Sequence, residues 1–289
     1  MKQPVFEGVA TALVTPFHDG TLDIPTLQKL IDFQIANGVS AIVICGTTGE
    51  AATMTQAEQL SAISNAVQHT AGRCKIIAGT GSNSTAHALE TSRLAAAIGV
   101  DAVLVVTPYY NKCTQSGLIS HYTAIADAIP VPVIAYNVPS RTGVNISVET
   151  YCTLADHPNI NGVKEAAAGI SKIARTLDVC GDRFYVWSGN DDEAVPALSV
   201  GAKGLISVLS NVRPAQTVDM VKSALRGDFA RAGRLQVDLM KLIDALFSEV
   251  NPIPVKEAMR MIGMDAGLPR LPLTRLTEQK REVLQKLLA

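Results

Sequence analysis

The residue in this sequence that is best placed for chemistry is Lys164, near the end of the apolar stretch Ile160-Asn161-Gly162-Val163-Lys164-Glu165. Such a stretch is typical of a short buried strand, and the lysine stands where that strand would meet the next loop. Burial disfavours a charged ammonium, so an amine between a dry interior and a wet opening can act as a neutral nucleophile. The simpler interpretation is that Lys164-Glu165 begins a solvated loop, because charged residues are mostly exposed.

Polar side chains also follow other apolar runs of the chain. These segments are Gly46-Thr47-Thr48-Gly49-Glu50, Thr107-Pro108-Tyr109-Tyr110-Asn111, Tyr136-Asn137-Val138-Pro139-Ser140-Arg141-Thr142-Gly143, Ser188-Gly189-Asn190-Asp191 and Ser207. In a parallel barrel the carboxyl ends of all strands meet at one mouth, where function gathers. One lysine would then face hydroxyls, phenols and a guanidinium, which is the equipment for carbonyl chemistry through an imine.

Each of these groups has a structural alternative. Thr47 and Thr48 could form a turn or cap the next helix, and Tyr109 and Tyr110 could be packing aromatics. Arg141 could be a solvated charge, although a guanidinium in a strand-end loop can also grip a carboxylate with two parallel hydrogen bonds.

The elements that would position these groups alternate between strand and helix. The sequence predicts strands at 9–15, 39–45, 75–78, 102–106, 131–136, 160–165, 184–187 and 204–208. Helices are expected from Pro25 to residue 36 and at 56–69, 84–97, 116–128, 147–156, 169–180, 191–199 and 214–225. Strands that are apolar throughout are covered on both faces, which indicates a parallel sheet. Eight such units favour a closed (β/α)8 TIM barrel over an open doubly wound sheet. We expect a barrel domain over 1–225 and a C-terminal helical domain, 226–289, packed on it.

Composition excludes several classes of function. Twenty-five basic and 26 acidic side chains give a formal charge of -1, so no overall field recruits nucleic acid or an anionic membrane. Residues 1–10 lack the apolar core of a signal peptide and no run is long enough to cross a bilayer, so a cytoplasmic protein is expected. The five scattered cysteines are expected to be free thiols.

Metal and nucleotide chemistry are also disfavoured. The five histidines show no ligand spacing, so no catalytic metal is expected. Gly79-Thr80-Gly81 lacks the third glycine of a dinucleotide fingerprint and the Gly-Lys-Ser/Thr of a P-loop.

Four motifs together resemble those of the dihydrodipicolinate synthase family, a group of pyruvate-dependent class I aldolases. They are Gly46-Thr47-Thr48-Gly49-Glu50, the run from Tyr136 to Gly143, Lys164-Glu165, and Asn251-Pro252-Ile253-Pro254-Val255-Lys256. The resemblance spans nearly the whole chain in the family's order and spacing. It implies a Schiff-base condensation of pyruvate with L-aspartate 4-semialdehyde followed by cyclisation, the first committed step of lysine and diaminopimelate biosynthesis, with no cofactor.

The resemblance also implies roles for individual residues. Lys164 would form the Schiff base, and Tyr136, Thr47 and Tyr110 would relay protons, with Tyr110 supplied by a neighbouring subunit. The substrate-binding residues would be Thr48, Arg141, Ile206 and Gly189. In this family Arg141 would hold the carboxylate of the second substrate. A homotetramer, built as a dimer of dimers, is expected, with no nucleic-acid or membrane partner.

One departure concerns the site where relatives bind lysine as an inhibitor. The corresponding residues here are Ala51, Gln56, Gln59, Asn83, His87 and Tyr109. Asn83 and Tyr109 match the family, but the chain has Gln56, Gln59 and His87 where inhibited relatives carry histidines and an acidic residue. Without an acidic partner for the ligand's ammonium, feedback inhibition is expected to be weak or absent.

Two other functions remain open. N-acetylneuraminate lyases and keto-deoxy sugar acid aldolases share most of these motifs, but they would need hydroxyl-binding residues rather than Arg141 at the mouth. A barrel that binds a keto acid without turnover is a further alternative, although a mere binder gains nothing from an imine-forming amine.

Overall fold

Eight parallel strands close into a barrel in the computed structural model, which describes residues 2–288. The strands are β1 Gly8–Ala12, β2 Ala41–Ile44, β3 Lys75–Gly79, β4 Ala102–Val106, β5 Val133–Asn137, β6 Ile160–Glu165, β7 Tyr185–Ser188 and β8 Gly204–Ser207. Each pairs with the next, and β1 closes the ring because Ala10 lies opposite both Ala41 of β2 and Ile206 of β8. The predicted (β/α)8 barrel is therefore confirmed.

Helices follow the strands around the barrel and continue beyond it. They are α1 Ile24–Ala36, α2 Gln56–Thr70, α3 Thr85–Ile98, α4 Gln115–Asp127, α5 Pro139–Thr142, α6 Val148–Ala155, α7 Ile170–Cys180, α8 Ala194–Ser199, α9 Pro214–Leu225, α10 Phe229–Leu246, α11 Ile253–Met261 and α12 Glu278–Leu288. None of the helices formed by residues 2–288 combines the length and apolar character needed to span a bilayer.

The start of α2 illustrates how local sequence sets these boundaries. The Thr55 hydroxyl accepts a hydrogen bond from the Glu58 backbone N–H, and the Glu58 carboxylate accepts one from the Thr55 backbone N–H. This reciprocal capping box satisfies backbone donors that a helix start leaves unpaired. The helix therefore begins at Gln56, after the short 3-10 turn Ala51–Thr53 that follows the loop carrying Thr47 and Thr48.

The barrel interior and the layer between barrel and helices form two separate apolar clusters. The interior contains small residues such as Ala10 and Ala41, together with Ile206 and Trp187, all fully buried. The Trp187 indole N–H donates to the Phe6 carbonyl at 3.1 Å, so the largest interior side chain leaves no polar atom unpaired. The packed interior supports a reaction site at the strand ends rather than a pore.

Several element boundaries differ from those predicted, among them the start of the helix expected at 191–199, which is Ala194, and three differences concern the loops near the mouth. The first strand ends at Ala12 rather than residue 15, because the Val14 backbone N–H donates to the Asn211 side-chain oxygen at 3.1 Å instead of to a neighbouring strand. A small hairpin, Phe17–His18 with Thr21–Leu22, follows and was not predicted. The expected loop after β5 begins as the one-turn helix α5, which ends at Gly143 with φ +68°.

The C-terminal helices pack on the barrel's helices. The Gln236 side chain of α10 accepts from the Val195 N–H at 3.1 Å and donates to the Asp191 carbonyl at 2.9 Å. These bonds fix α10 to the segment after β7. The division into domains at residues 225 and 226 stays a prediction.

Candidate active site

Lys164 and Tyr136 lie side by side at the ends of β6 and β5. The two residues are direct partners in the register of these strands. The Lys164 Nζ lies 4.4 Å from the centre of the Tyr136 ring, and the two residues are 6 % and 7 % exposed. The amine is therefore held against a phenol in a nearly dry setting, as expected for an imine-forming lysine with a proton donor beside it.

Gly189 provides the space that the lysine side chain occupies. A Cβ built at this position would lie 3.0 Å from Lys164 Cε and 2.8 Å from Ala166 Cβ. Its backbone N–H donates to the Glu165 carbonyl at 2.7 Å, so the backbone cannot easily retreat. Any larger residue would displace the lysine.

A buried polar network fixes the strand ends from behind. The Glu165 carboxylate accepts from Asn137 Nδ2 and Tyr151 OH, both at 2.7 Å, and pairs with Lys172 Nζ at 3.0 Å. Burial, reinforced by the Glu165 charge, raises the pKa of Tyr151 well above its usual value, so this phenol remains a donor. Because every member has partners, the network holds Lys164 and Tyr136 in register.

Asp191 is a buried carboxylate near Lys164. The sequence indicates it only as a residue that follows a strand. Its oxygens accept from the Ser207 hydroxyl at 2.6 Å and from the N–H groups of Val208 and Leu209, both at 3.0 Å. Burial raises its pKa, while these hydrogen bonds and the charge of Lys164 oppose the rise. The carboxylate organises the end of β8 and adds negative potential close to the amine.

The loop after β2 presents Thr47 and Thr48. Thr48 is buried, and its Oγ1 accepts a hydrogen bond from Asn251 Nδ2 at 2.9 Å. At the end of this loop Glu50 adopts a left-handed backbone with φ +56°. Its carboxylate pairs with Lys256 Nζ at 2.6 Å, with both side chains only 1 % exposed. Two residues of the C-terminal segment therefore hold this loop: Asn251 binds Thr48, and Lys256 binds Glu50.

Arg270 extends this anchoring to α2. Its backbone N–H donates to Glu50 at 2.8 Å, and its guanidinium pairs with Glu58 and lies 4.0 Å above the Phe17 ring. The guanidinium hydrogen bonds lower the pKa of Glu58 to about 2. Burial lowers the pKa of Lys256, and the charge of Glu50 opposes this change. The motif ending in Lys256 is thus structural support for the loop.

A cavity of about 440 Å³ opens in front of this region. Predicted catalytic and effector residues both line it, namely Thr47, Tyr136, Arg141, Ala51, Gln56, Gln59, His87 and Tyr109. Lys164 is not among the lining residues, but its Nζ lies 4.4 Å from the ring centre of Tyr136, which is one of them. Asn83 lies beside the lining residue Ser82, and its carbonyl accepts from Asn111 Nδ2 at 2.9 Å. The two predicted sites therefore adjoin one cavity in the single chain.

The other predicted site residues occupy three different environments. Ile206 is fully buried in the barrel interior. Arg141 is exposed at the mouth, where its Nη2 donates to the Asn251 carbonyl at 3.3 Å. Tyr110 is 93 % exposed, has a left-handed backbone with φ +70° and is not among the residues that line the cavity.

Among residues 2–288 no group of three or more histidine, cysteine or acidic side chains is arranged to hold a metal ion. The reactive groups available at the mouth are the amine, the phenol, the hydroxyls and the guanidinium. These groups suit covalent chemistry on a carbonyl compound.

A closed parallel barrel with a buried lysine and a tyrosine at adjoining strand ends defines a barrel enzyme of the imine-forming kind. The chain belongs to the dihydrodipicolinate synthetase family, whose sequence model matches residues 5–289.

Individual relatives agree with this assignment over the full length. The chain is 50 % identical to a 4-hydroxy-tetrahydrodipicolinate synthase of Caldicellulosiruptor saccharolyticus, over 99 % of this chain and 97 % of the relative. A solved structure of a chloride-inhibited dihydrodipicolinate synthase from Acinetobacter baumannii, complexed with pyruvate, has a TM-score of 0.96, 42 % identity and 98 % coverage of each chain. A lysine-bound structure of the enzyme from Cyanidioschyzon merolae has a TM-score of 0.95 and 38 % identity, covering 99 % and 98 %.

Proposed function

We propose that this chain is a 4-hydroxy-tetrahydrodipicolinate synthase that condenses pyruvate with L-aspartate 4-semialdehyde in lysine and diaminopimelate biosynthesis. The observation that carries the proposal is the Lys164 amine held 4.4 Å from the centre of the Tyr136 ring at the barrel mouth. Family membership and the full-length relatives support the same reaction. The chemistry requires no metal or cofactor, because the enzyme's own amine forms the electron sink.

The first half of the reaction activates pyruvate. The neutral Lys164 amine attacks the keto carbon, Tyr136 supplies a proton, and the carbonyl oxygen leaves as water. The resulting protonated Schiff base withdraws electrons from the methyl group, which loses a proton to the Tyr136 phenolate and becomes an enamine. Thr47 and Thr48 hold the pyruvate carboxylate, while Ile206 and Gly189 shape the pocket.

The second half joins the two substrates. The enamine carbon adds to the aldehyde of aspartate 4-semialdehyde, whose carboxylate binds Arg141, and the aldehyde oxygen takes a proton. The substrate's own amine then attacks the imine carbon and releases Lys164, which closes the ring. Arg141 suits this role because it is exposed and donates one hydrogen bond, to the Asn251 carbonyl, within residues 2–288, and a planar carboxylate can accept two of a guanidinium's N–H groups.

Tyr110 is 93 % exposed, which supports a role in a neighbouring subunit. We infer that Tyr110 completes the proton relay of a partner's site and that the working form is a homotetramer in the cytoplasm. Mixing Lys164→Ala subunits with Tyr110→Phe subunits tests this, because each heterodimer would regain one complete site. Recovery of about a quarter of wild-type activity is expected for random pairing. No recovery after verified subunit exchange would contradict the shared site.

The cavity residues support weak regulation by lysine. Gln56 and Gln59 are neutral, and each already donates to the protein, to Thr91 at 3.4 Å and to Ala51 at 2.9 Å. No carboxylate lines the cavity among residues 2–288 to pair with the ligand's ammonium. Lysine should therefore inhibit little at physiological concentration, and strong cooperative inhibition in a titration would overturn this expectation.

Substrate choice is the decisive assay of the proposed reaction. Pyruvate consumption should be measured with aspartate 4-semialdehyde and, in parallel, with a panel of sugar aldehydes. Rapid consumption of pyruvate is expected with aspartate 4-semialdehyde and not with the sugar aldehydes. A preference for a sugar aldehyde would assign the chain to the lyases, and binding of pyruvate without exchange of its methyl protons would indicate a non-catalytic barrel.

A further inference from the structure

Asn251 connects two groups that bind different substrates in the proposed reaction. Its Nδ2 donates to Thr48 Oγ1 at 2.9 Å, and its backbone carbonyl accepts from Arg141 Nη2 at 3.3 Å. Asn251 is 6 % exposed and lies far from both residues in the chain. A single buried residue of the C-terminal segment therefore contacts the proposed pyruvate-binding hydroxyl and the proposed semialdehyde-binding guanidinium.

The bond to Thr48 determines which way that hydroxyl can point. Because Thr48 Oγ1 accepts the amide N–H, its own proton is directed elsewhere and remains free to donate. A carboxylate is an acceptor only, so it needs a donor at this position. The asparagine amide thus sets Thr48 as a donor before the ligand arrives, which lowers the ordering cost of binding.

The other polar atom of the Asn251 side chain, Oδ1, does not stabilise the fold through a hydrogen bond. This oxygen is buried and has no hydrogen-bond partner among residues 2–288. An unpaired buried acceptor costs free energy, and such groups in native structures call for a functional explanation. Truncating the side chain removes that unpaired oxygen together with the useful N–H, so it should affect binding more than folding.

The loop that carries Thr48 is held at its other end by the same segment. Lys256, in the first turn of α11, pairs with Glu50 at 2.6 Å. Glu50 fixes the backbone of the loop, which leaves the orientation of the Thr48 hydroxyl to Asn251. The two contacts have separable effects for that reason.

We propose that Asn251 is a positioning residue whose side-chain amide orients the Thr48 hydroxyl toward the carboxylate of the keto acid. The inference rests on the proposed function. It predicts a change in the KM for pyruvate with kcat largely preserved, because the amide acts through binding groups and touches no reacting atom.

Steady-state kinetics of four variants of the full chain test this role: Asn251→Ala, Asn251→Asp, Thr48→Val and the Asn251→Ala/Thr48→Val double variant. Asn251→Ala should raise the KM for pyruvate about tenfold, the size of one lost hydrogen bond to a charged group, and lower kcat less than about threefold. Asn251→Asp should raise KM further, because its carboxylate draws the Thr48 proton and repels the ligand. Asn65→Ala on α2 is the matched control, with KM unchanged.

The double variant separates orientation from a general structural effect. If Asn251 acts through Thr48, the double variant should bind pyruvate no worse than Thr48→Val alone. Independent, multiplying effects on KM would overturn the inference, as would an unchanged KM in Asn251→Ala. If Asn251→Ala does not fold, as judged by circular dichroism, the near-isosteric Asn251→Asp decides, and an unchanged KM there overturns the inference.

Borohydride trapping distinguishes this inference from the function on which it rests. Wild-type protein treated with pyruvate and borohydride must carry the reduced adduct on Lys164. Its absence would overturn the proposed function itself. A normal wild-type adduct combined with wild-type KM in the Asn251 variants would overturn only the role of Asn251.

Discussion

Two regions of the mouth differ in how many of their polar groups have hydrogen-bond partners within the chain. The inner cluster, formed by Lys164, Tyr136, Glu165, Tyr151 and Lys172, is largely buried, and its carboxylate has hydrogen-bond partners on both oxygens. The outer rim is exposed and makes few contacts with its own chain. It consists of His87, Tyr109, Tyr110 and Arg141.

The difference separates the parts of the reaction. The inner cluster is organised before any ligand binds, which suits the imine chemistry proposed for it. The outer rim presents a guanidinium and phenols outward, where a second substrate, an effector or another subunit would complete them. Within the proposed function, we therefore expect the chemistry to depend on the buried inner cluster, and specificity and regulation to depend on the exposed rim.

Tyr136→Phe should break the inner cluster most severely. The ring would still pack beside Lys164, but the proton donor would be lost, so kcat should fall about 10² to 10⁴-fold. Tyr185→Phe is the matched control, because that buried phenol donates to the Lys2 carbonyl at 2.6 Å at the start of β7, the end of the barrel opposite the site. Steady-state rates of both proteins decide the point. Equal small losses would show that the Tyr136 hydroxyl has no special role.

Lys256→Met tests whether the buried pair supports the loop. Removing one partner leaves the Glu50 charge buried and uncompensated, which should cost about 3 to 5 kcal/mol of unfolding free energy in a denaturant titration. Arg183→Met, which breaks the exposed pair with Asp156, should cost less than about 1 kcal/mol. Similar losses in the two variants would mean that burial does not set the difference.

Arg141→Ala sharpens the contrast from the rim. It should spare Schiff-base formation and lower kcat/KM for the semialdehyde about 100-fold, because a charged contact to one substrate is lost. Borohydride trapping and steady-state kinetics measure the two effects separately. Equal impairment of adduct formation and semialdehyde use would contradict the role of Arg141 in the second half of the reaction.

The smallest expected effect concerns His121 of α4, a buried residue outside the site, and the pH dependence of the free energy of unfolding. Burial lowers its pKa to about 4 from 6.5, and its Nε2 has no partner among residues 2–288. In the folded protein His121 stays neutral down to about pH 4, whereas in the unfolded chain it takes up a proton near pH 6.5. The free energy of unfolding therefore decreases as the pH falls below 6.5. Between pH 7 and pH 5 the loss from this residue should be about 2 kcal/mol. His121→Gln should remove that part of the pH dependence of unfolding, and an unchanged slope would refute it.

The sequence predicted those features that have a local signature. Apolar runs and helix caps located the strands and helices, and the strand ends located Lys164, Tyr136 and Gly189. The contacts of Asn251 with Thr48 and of Lys256 with Glu50 join residues more than 200 positions apart, as the separations of 203 and 206 show. No periodicity records such pairs, because they arise only when the C-terminal segment packs on the barrel. The one-turn helix around Arg141 was also missed, since four residues are too few to show a helical period.

The account depends most on the identity of the nucleophile. Incubation with pyruvate and borohydride, followed by peptide mapping, should give one reduced adduct on Lys164 and none in Lys164→Ala. Lys203→Ala, at the opposite end of the barrel, should label like wild type. An adduct on a different lysine, or no adduct at all in wild type, would contradict the central claim.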